Sequence, residues 1–182
     1  KSYGGTADDK ANALAMDSNG EIWVAGGTAT NNGDITTNGG KDFWVFRIDS
    51  TGSLLWQKTY GGPSLDVAQA FTLTTDGGAA MIGTTLGSGG DITESFGQDD
   101  FWVAKIAADG SLDWQRTIGE ASFDVPTDII EDLNGDIIAV GSSFDPSVAP
   151  PNYFYDIKLT RMDIANGAIK WQERIGGSQW DF

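Results

Sequence analysis

DFWVFRIDSTGSLLWQKTYGG, residues 42–62, returns as DFWVAKIAADGSLDWQRTIGE, residues 100–120, with 12 of 21 positions identical. A looser copy, YDIKLTRMDIANGAIKWQERIGG, occupies residues 155–177 and carries one extra residue in its turn. Trp56, Trp114 and Trp171 are 58 and 57 residues apart, and Tyr3, Tyr60, Ile118 and Ile175 are 57, 58 and 57 apart. A fixed period of this length is the signature of a repeat architecture, so the repeat sets the fold before any single residue is given a role.

Each period holds four short segments of strand character. The first covers 13–16, 70–74 and 127–130, and ends in the turns DSNG, TDGG and DLNG at 17–20, 75–78 and 132–135. Asp, Asn and Gly tolerate the positive φ of tight hairpins. The second covers 21–28, 79–85 and 136–143, with a glycine at the same place in each, Gly26, Gly83 and Gly141. Glycine inside a strand marks a bulge or a close backbone approach. The third covers 43–48, 101–106 and 157–162, and the fourth 54–60, 112–118 and 169–175. Apolar residues do not recur at three and four residues over any sustained window, so no substantial helix is expected.

Four antiparallel strands per period is the anatomy of a β-propeller blade. The expectation is all-β: about three four-stranded blades of a larger, incomplete propeller. The cuts fall at 1–57, 58–115 and 116–172, with a further blade starting over 173–182 and residues 1–5 ending a preceding one. A β-sandwich has no reason to repeat Trp-Gln at constant spacing, and the rungs of a parallel β-helix are shorter than this period. Propellers have four to eight blades. The set is therefore expected to continue, either in a longer chain or by self-assembly.

Composition narrows the function. Eleven Lys and Arg against 26 Asp and Glu give a formal charge of −15 over 182 residues. Such a field repels nucleic acid. Without cysteine there is no disulfide framework, and without histidine the Ser-His-Asp, Cys-His and His-zinc sites are excluded. No apolar run approaches the length of a membrane span, so no direct membrane insertion is expected. The chain opens at Lys1 without a signal peptide, which suggests a processed or partial product. The five glutamates, Glu21, Glu94, Glu120, Glu131 and Glu173, hold no repeated position that would frame a glycosidase pair.

The long connection between second and third segments, 29–41, 86–99 and 144–154, is the default interaction surface, because binding usually resides on long loops of a rigid scaffold. The third copy carries Pro146, Pro150 and Pro151. Two copies share GDIT, which places Asp34 and Asp91 in matching acidic loops near Asp42, Asp99 and Asp100. Calcium takes six to eight oxygens, so Asp34 and Asp91 are the candidate metal ligands, with Asp-mediated turn stabilisation as the plainer reading. Asp132, Asn134 and Asp136 mimic a calcium string but sit where a hairpin turn belongs. Three charges recur in register: Asp9, Asp66, Asp124 and Asp181; Asp42, Asp100 and Asp156; and Arg47, Lys105 and Arg161. The basic set lies in otherwise apolar strands, so burial and pairing with the repeated aspartates is expected. The three repeated tryptophans read as packing between blades.

The succession YGG, then DGG, GDIT, DFWV-K/R-I and GSL-x-WQ-K/R-T resembles the tandem propeller repeats of large bacterial cell-surface proteins exported by the type IX secretion system, gliding and biofilm adhesins among them. The resemblance covers essentially the whole chain and weakens in the third copy, which lacks GDIT and DFW. It implies an extracellular, outer-membrane-associated, non-enzymatic module for binding or spacing. Its partners would be other domains of the same long polypeptide, surface proteins or glycans. The WQ strand also resembles the tryptophan-docking repeats of quinoproteins, whose further cofactor ligands are not identifiable here. A ligand-binding or accessory propeller of a carbohydrate-active or sensor protein is the alternative.

Overall fold

The computed structural model describes residues 1–32, 35–144 and 155–176. These residues form twelve strands and no helix: β1 (Asp9–Met16), β2 (Ile22–Thr28), β3 (Asp42–Ile48), β4 (Leu54–Tyr60), β5 (Asp66–Leu73), β6 (Ala79–Thr85), β7 (Asp100–Ile106), β8 (Leu112–Ile118), β9 (Asp124–Glu131), β10 (Ile137–Phe144), β11 (Tyr155–Met162) and β12 (Ile169–Ile175). They make three four-stranded antiparallel sheets, β1 to β4, β5 to β8 and β9 to β12, each in simple sequential order. No helix among the described residues is long and apolar enough to cross a membrane.

The second, third and fourth strands lie within one or two residues of the sequence expectation. The first strand is longer. It begins at Asp9, Asp66 and Asp124, four residues or so before the apolar run that signals it. Each first strand carries a bulge at the same place, between Ala11 and Ala13, between Ala68 and Ala70, and opposite Val140 and Gly141. The extra residue breaks the two-residue alternation, so the strand's start does not look like a strand. The bulge also accommodates Pro126, which an inner sheet strand would reject. Sheet boundaries fall in the connections after Tyr60 and Ile118, so the cuts at 57, 115 and 172 pass through β4, β8 and β12.

The recurring glycine sits opposite the bulge: Ala11 faces Gly26, Ala68 faces Gly83 and Pro126 faces Gly141. A methyl group on Gly83 would overlap the Val67 carbonyl and lie 2.6 Å from Phe43 Cε1. On Gly141 it would strike the Phe101 ring and lie 2.8 Å from Pro126 Cα. Thus the phenylalanine of each DFW strand, Phe43 or Phe101, seats on bare backbone in the next sheet.

Around that contact the sheets pack in series. Sheet one meets sheet two through Trp23, Ala25, Phe43, Val45 and Tyr60 on one side and Ala68, Met81, Trp102, Ala104 and Ile106 on the other. Sheet two presents Ala80, Ile82, Phe101, Val103 and Trp114 to Ile129, Ile137, Ala139 and Met162 of sheet three. Phe43 and Trp102 meet edge to face at 4.6 Å between centroids. The turn joining third and fourth strands of one sheet covers the WQ tryptophan of the sheet before it. A methyl on Gly110 would lie 3.0 Å from Trp56 Cζ3, one on Gly167 would lie 2.6 Å from Trp114 Cε3, and Trp114 Nε1 donates to the Ile164 carbonyl at 2.7 Å. The glutamine of WQ binds the tryptophan of DFW: Trp44 Nε1 donates to Gln57 Oε1 at 3.1 Å, and Trp102 Nε1 to Gln115 Oε1 at 2.9 Å.

Overpacking a tight core position costs on the order of 1–3 kcal/mol. Gly83→Ala, where both backbone and ring must yield, is expected to lower the unfolding free energy by about 2 kcal/mol or more in denaturant titration. Wild-type stability for that variant would contradict the seating of Phe43 on Gly83.

Candidate functional site

One end of each sheet carries the long connection between second and third strands, together with a cross-strand row of polar residues. In register, Asp9 faces Thr28, which faces Asp42; Asp66 faces Thr85, which faces Asp100; and Asp124 faces Ser143, which faces Asp156. The first aspartate of each row closes the turn from the preceding fourth strand by accepting a backbone N–H four residues upstream: Gly5 N to Asp9, Gly62 N to Asp66 and Glu120 N to Asp124, each at 2.7 Å. The aspartate at the start of the third strand holds the long loop instead. Asp42 accepts Asn38 N at 2.5 Å, and Asp100 accepts Phe96 N at 2.8 Å and the Ser95 hydroxyl at 3.0 Å. The ends of the first two loops also reach the next sheet, as Asp66 N donates to the Lys41 carbonyl and Asp124 N to the Asp99 carbonyl. These aspartates are connectors.

Of the two candidate calcium ligands, Asp34 lies outside the described residues. Asp91 is engaged between sheets one and two: its carboxylate accepts Gly61 N at 3.0 Å, and its own N–H donates to the Gly61 carbonyl at 2.9 Å. The rest of GDIT anchors the loop. Gly90 holds φ +60°, Ile92 is buried in the core between sheets one and two, and Thr93 accepts Gln115 Nε2 at 2.6 Å. Ile35 does the same against Trp44 and Phe46. Among the described residues, no three acidic side chains are placed to hold a metal ion together.

Asp42 Oδ1 and Asp66 Oδ2 flank Gly61, lying 2.6 Å and 2.8 Å from the point where a methyl group would stand. Glycine is required there because two carboxylates close over it. Burial, with help from neighbouring Asp66 and Asp91 and against the Asn38 hydrogen bond, pushes Asp42 from 3.8 up to about 6. Burial likewise raises Asp66 and Asp124. Asp9 moves the other way, since its hydrogen bonds from Thr28, Gly5 and Thr30 outweigh desolvation.

Of the basic set Lys105 is buried and Arg47 and Arg161 are partly buried, and the partners differ from the sequence expectation. Arg47 pairs with Asp17 at 2.6 Å and Glu21 at 2.5 Å, and lies 4.9 Å above the Trp23 ring. Lys105, 1% exposed, pairs with Asp76 at 2.8 Å and Asp113 at 3.4 Å. Arg161 pairs with Asp132 at 2.7 Å and Asp136 at 2.8 Å. The partners are acids of hairpin turns and strand ends, not the repeated aspartates, which stand at the opposite end of the sheet. Burial would raise Asp76, but Lys105, the Thr74 hydroxyl and Gly78 N together hold it down at about 2. The Asp132 string is a hairpin: Asp132 accepts Asn134 N at 2.8 Å and Asp136 N at 3.0 Å. In the third copy Lys158 stands where the others have Trp44 and Trp102, and Glu120 takes it at 3.1 Å and Arg174 at 3.3 Å. A cleft of about 240 Å³ opens beside this cluster, lined by Glu94, Phe96, Arg116 and Glu120.

Two tests follow from the charges. Lys105→Met leaves its acids in contact with water, whereas Asp76→Asn with Asp113→Asn strands a buried ammonium. Removing the partners of a buried charge is the costlier change. The double variant is expected to lose about 2 kcal/mol more than Lys105→Met in chemical denaturation; a reversed order would contradict the pairing. For Asp42, the raised value means that its stabilising contribution is complete below about pH 4 and is lost as pH rises through about 6. A shift of two units corresponds to about 3 kcal/mol. Asp42→Asn should therefore improve relative to wild type between pH 4 and 7.5 by up to that amount, and a pH-independent difference would contradict the buried carboxylate.

A scan against protein-family models finds no match, and a search of curated proteins finds no significant match. The functional reading therefore grows from the repeat and its loops.

Proposed function

We propose that the three sheets are blades of a β-propeller and that the chain is a non-enzymatic, extracellular module of a large bacterial surface protein. Its task is binding or adhesion to surface proteins or glycans, or the spacing of other domains of the same polypeptide. The observation that carries this reading is the division of labour within the repeat. Residues that recur in register are engaged in holding strands, turns and sheets together, as Trp102 is by Gln115 and Asp91 by Gly61. The residues left to vary lie on the long loops, and those of the first two sheets open beside each other at one end of the stack.

Propeller geometry is supported by the sequential antiparallel order of each sheet and by face-to-face stacking through one repeated contact. A binding role is supported by long loops on a rigid scaffold. The surface location and the type IX route rest on the resemblance in the repeat motifs. The charge of −15 speaks against a nucleic-acid partner. Calcium remains a proposal for the two loops that contain Asp34 and Asp91, of which only Asp91 is among the described residues.

Protease treatment of intact cells of the source organism tests the location. The reading expects the chain to be degraded on intact cells while a cytoplasmic marker survives. Protection until the cells are lysed would contradict it.

A further inference from the structure

Among the described residues, no sheet packs on the rear face of sheet three. By the repeat, Ile138, Val140, Ile157, Leu159, Trp171 and Ile175 correspond to Ala80, Ile82, Phe101, Val103, Trp114 and Ile118 of sheet two. In sheet two all six are buried against sheet three. In sheet three Ile157, Trp171 and Ile175 are 36%, 38% and 54% exposed. The matching half appears at the other end of the stack. Leu14 and Met16 occupy the positions of Phe71 and Leu73, which pack against sheet one, yet they are 74% and 64% exposed. The chain therefore presents the two halves of one interface, rear at sheet three and front at sheet one, and uses that same interface twice internally.

We propose that the rear face of sheet three takes the front face of sheet one from a second copy of this chain, in a head-to-tail contact. The internal interfaces specify what such a partner must supply. It needs a turn with a glycine at positive φ to lie over Trp171, as Gly110 lies over Trp56 and Gly167 over Trp114. Residues 49–53 supply it, with Gly52 at φ +72°. In the free chain Tyr3 donates its hydroxyl to the Gly52 carbonyl, the same contact that Tyr60 makes with Gly110 at 2.6 Å. Tyr3 thus holds the place that Ile175 of the incoming copy would take, and the largely exposed residues 1–5 swing aside on docking. Because the two faces differ, the contact is heterologous, and it builds a ring or an open stack rather than an isologous dimer.

Sedimentation velocity on the 182-residue chain from about 5 to 200 μM tests this, together with Trp171→Glu and Leu14→Glu. Both residues are exposed, so both variants are expected to fold, as circular dichroism checks. The wild type is expected to assemble with rising concentration, and each variant alone to stay monomeric. An equimolar mixture should form one-to-one dimers and nothing larger, since each variant keeps one intact face. A monomeric wild type, association that survives either substitution, or a mixture that stays monomeric would each overturn the proposal.

Discussion

The structure depends on a missing side chain. Where a bulge turns the first strand inward, the second strand must offer bare backbone, and Gly83 and Gly141 let the phenylalanine of the preceding sheet rest on it. The contact fixes how far apart adjacent sheets lie and how they are registered. Phe43 then reaches Trp102, and Trp56 and Trp114 come under the turns of the following sheets. Packing at crystalline density leaves little freedom for such contacts to drift.

Charge is arranged around this packing, not in place of it. A basic residue at one end of each third strand is held by hairpin acids, and aspartates at the other end hold turns and loops. A buried ammonium like that of Lys105 adds little net stability over an apolar residue, but it makes the alternative pairing of its hairpin costly. At the opposite end, Asp42 and Asp66 close over Gly61 beneath the long loops, and burial there pushes the Asp42 carboxyl up to about 6. The loops therefore stand on a tightly specified base while their own sequences are free to differ.

Much of the fold was legible from the sequence because repetition turns a faint pattern into three readings of it. Strand positions, hairpin turns and the bulge glycines all follow from local chemistry. The first eight-residue strands were not, since a bulge breaks the alternation that reveals strands. The partners of Arg47, Lys105 and Arg161 are also not legible in the sequence. The repeated aspartates look like the natural counterions in sequence, but the alternate antiparallel direction of the strands sends them to the far end of the sheet. The acids that do pair keep their register in two copies only: Asp17 matches Asp132 and Glu21 matches Asp136, whereas the second copy has Thr74 and Gly78 there and holds Lys105 with Asp76 and Asp113. At the candidate site, GDIT advertised an acidic loop; its isoleucine, buried as Ile35 and Ile92, is the part that fixes it.

The central claim is that successive sheets are joined by a phenylalanine seated on a glycine backbone. Nuclear Overhauser spectroscopy of the isotopically labelled chain tests it directly. The account predicts cross-peaks between the Phe43 ring protons and the Gly83 Hα protons, repeated between Phe101 and Gly141, with the glycine resonances displaced by the ring currents. Absence of both sets of cross-peaks in the folded protein would contradict it.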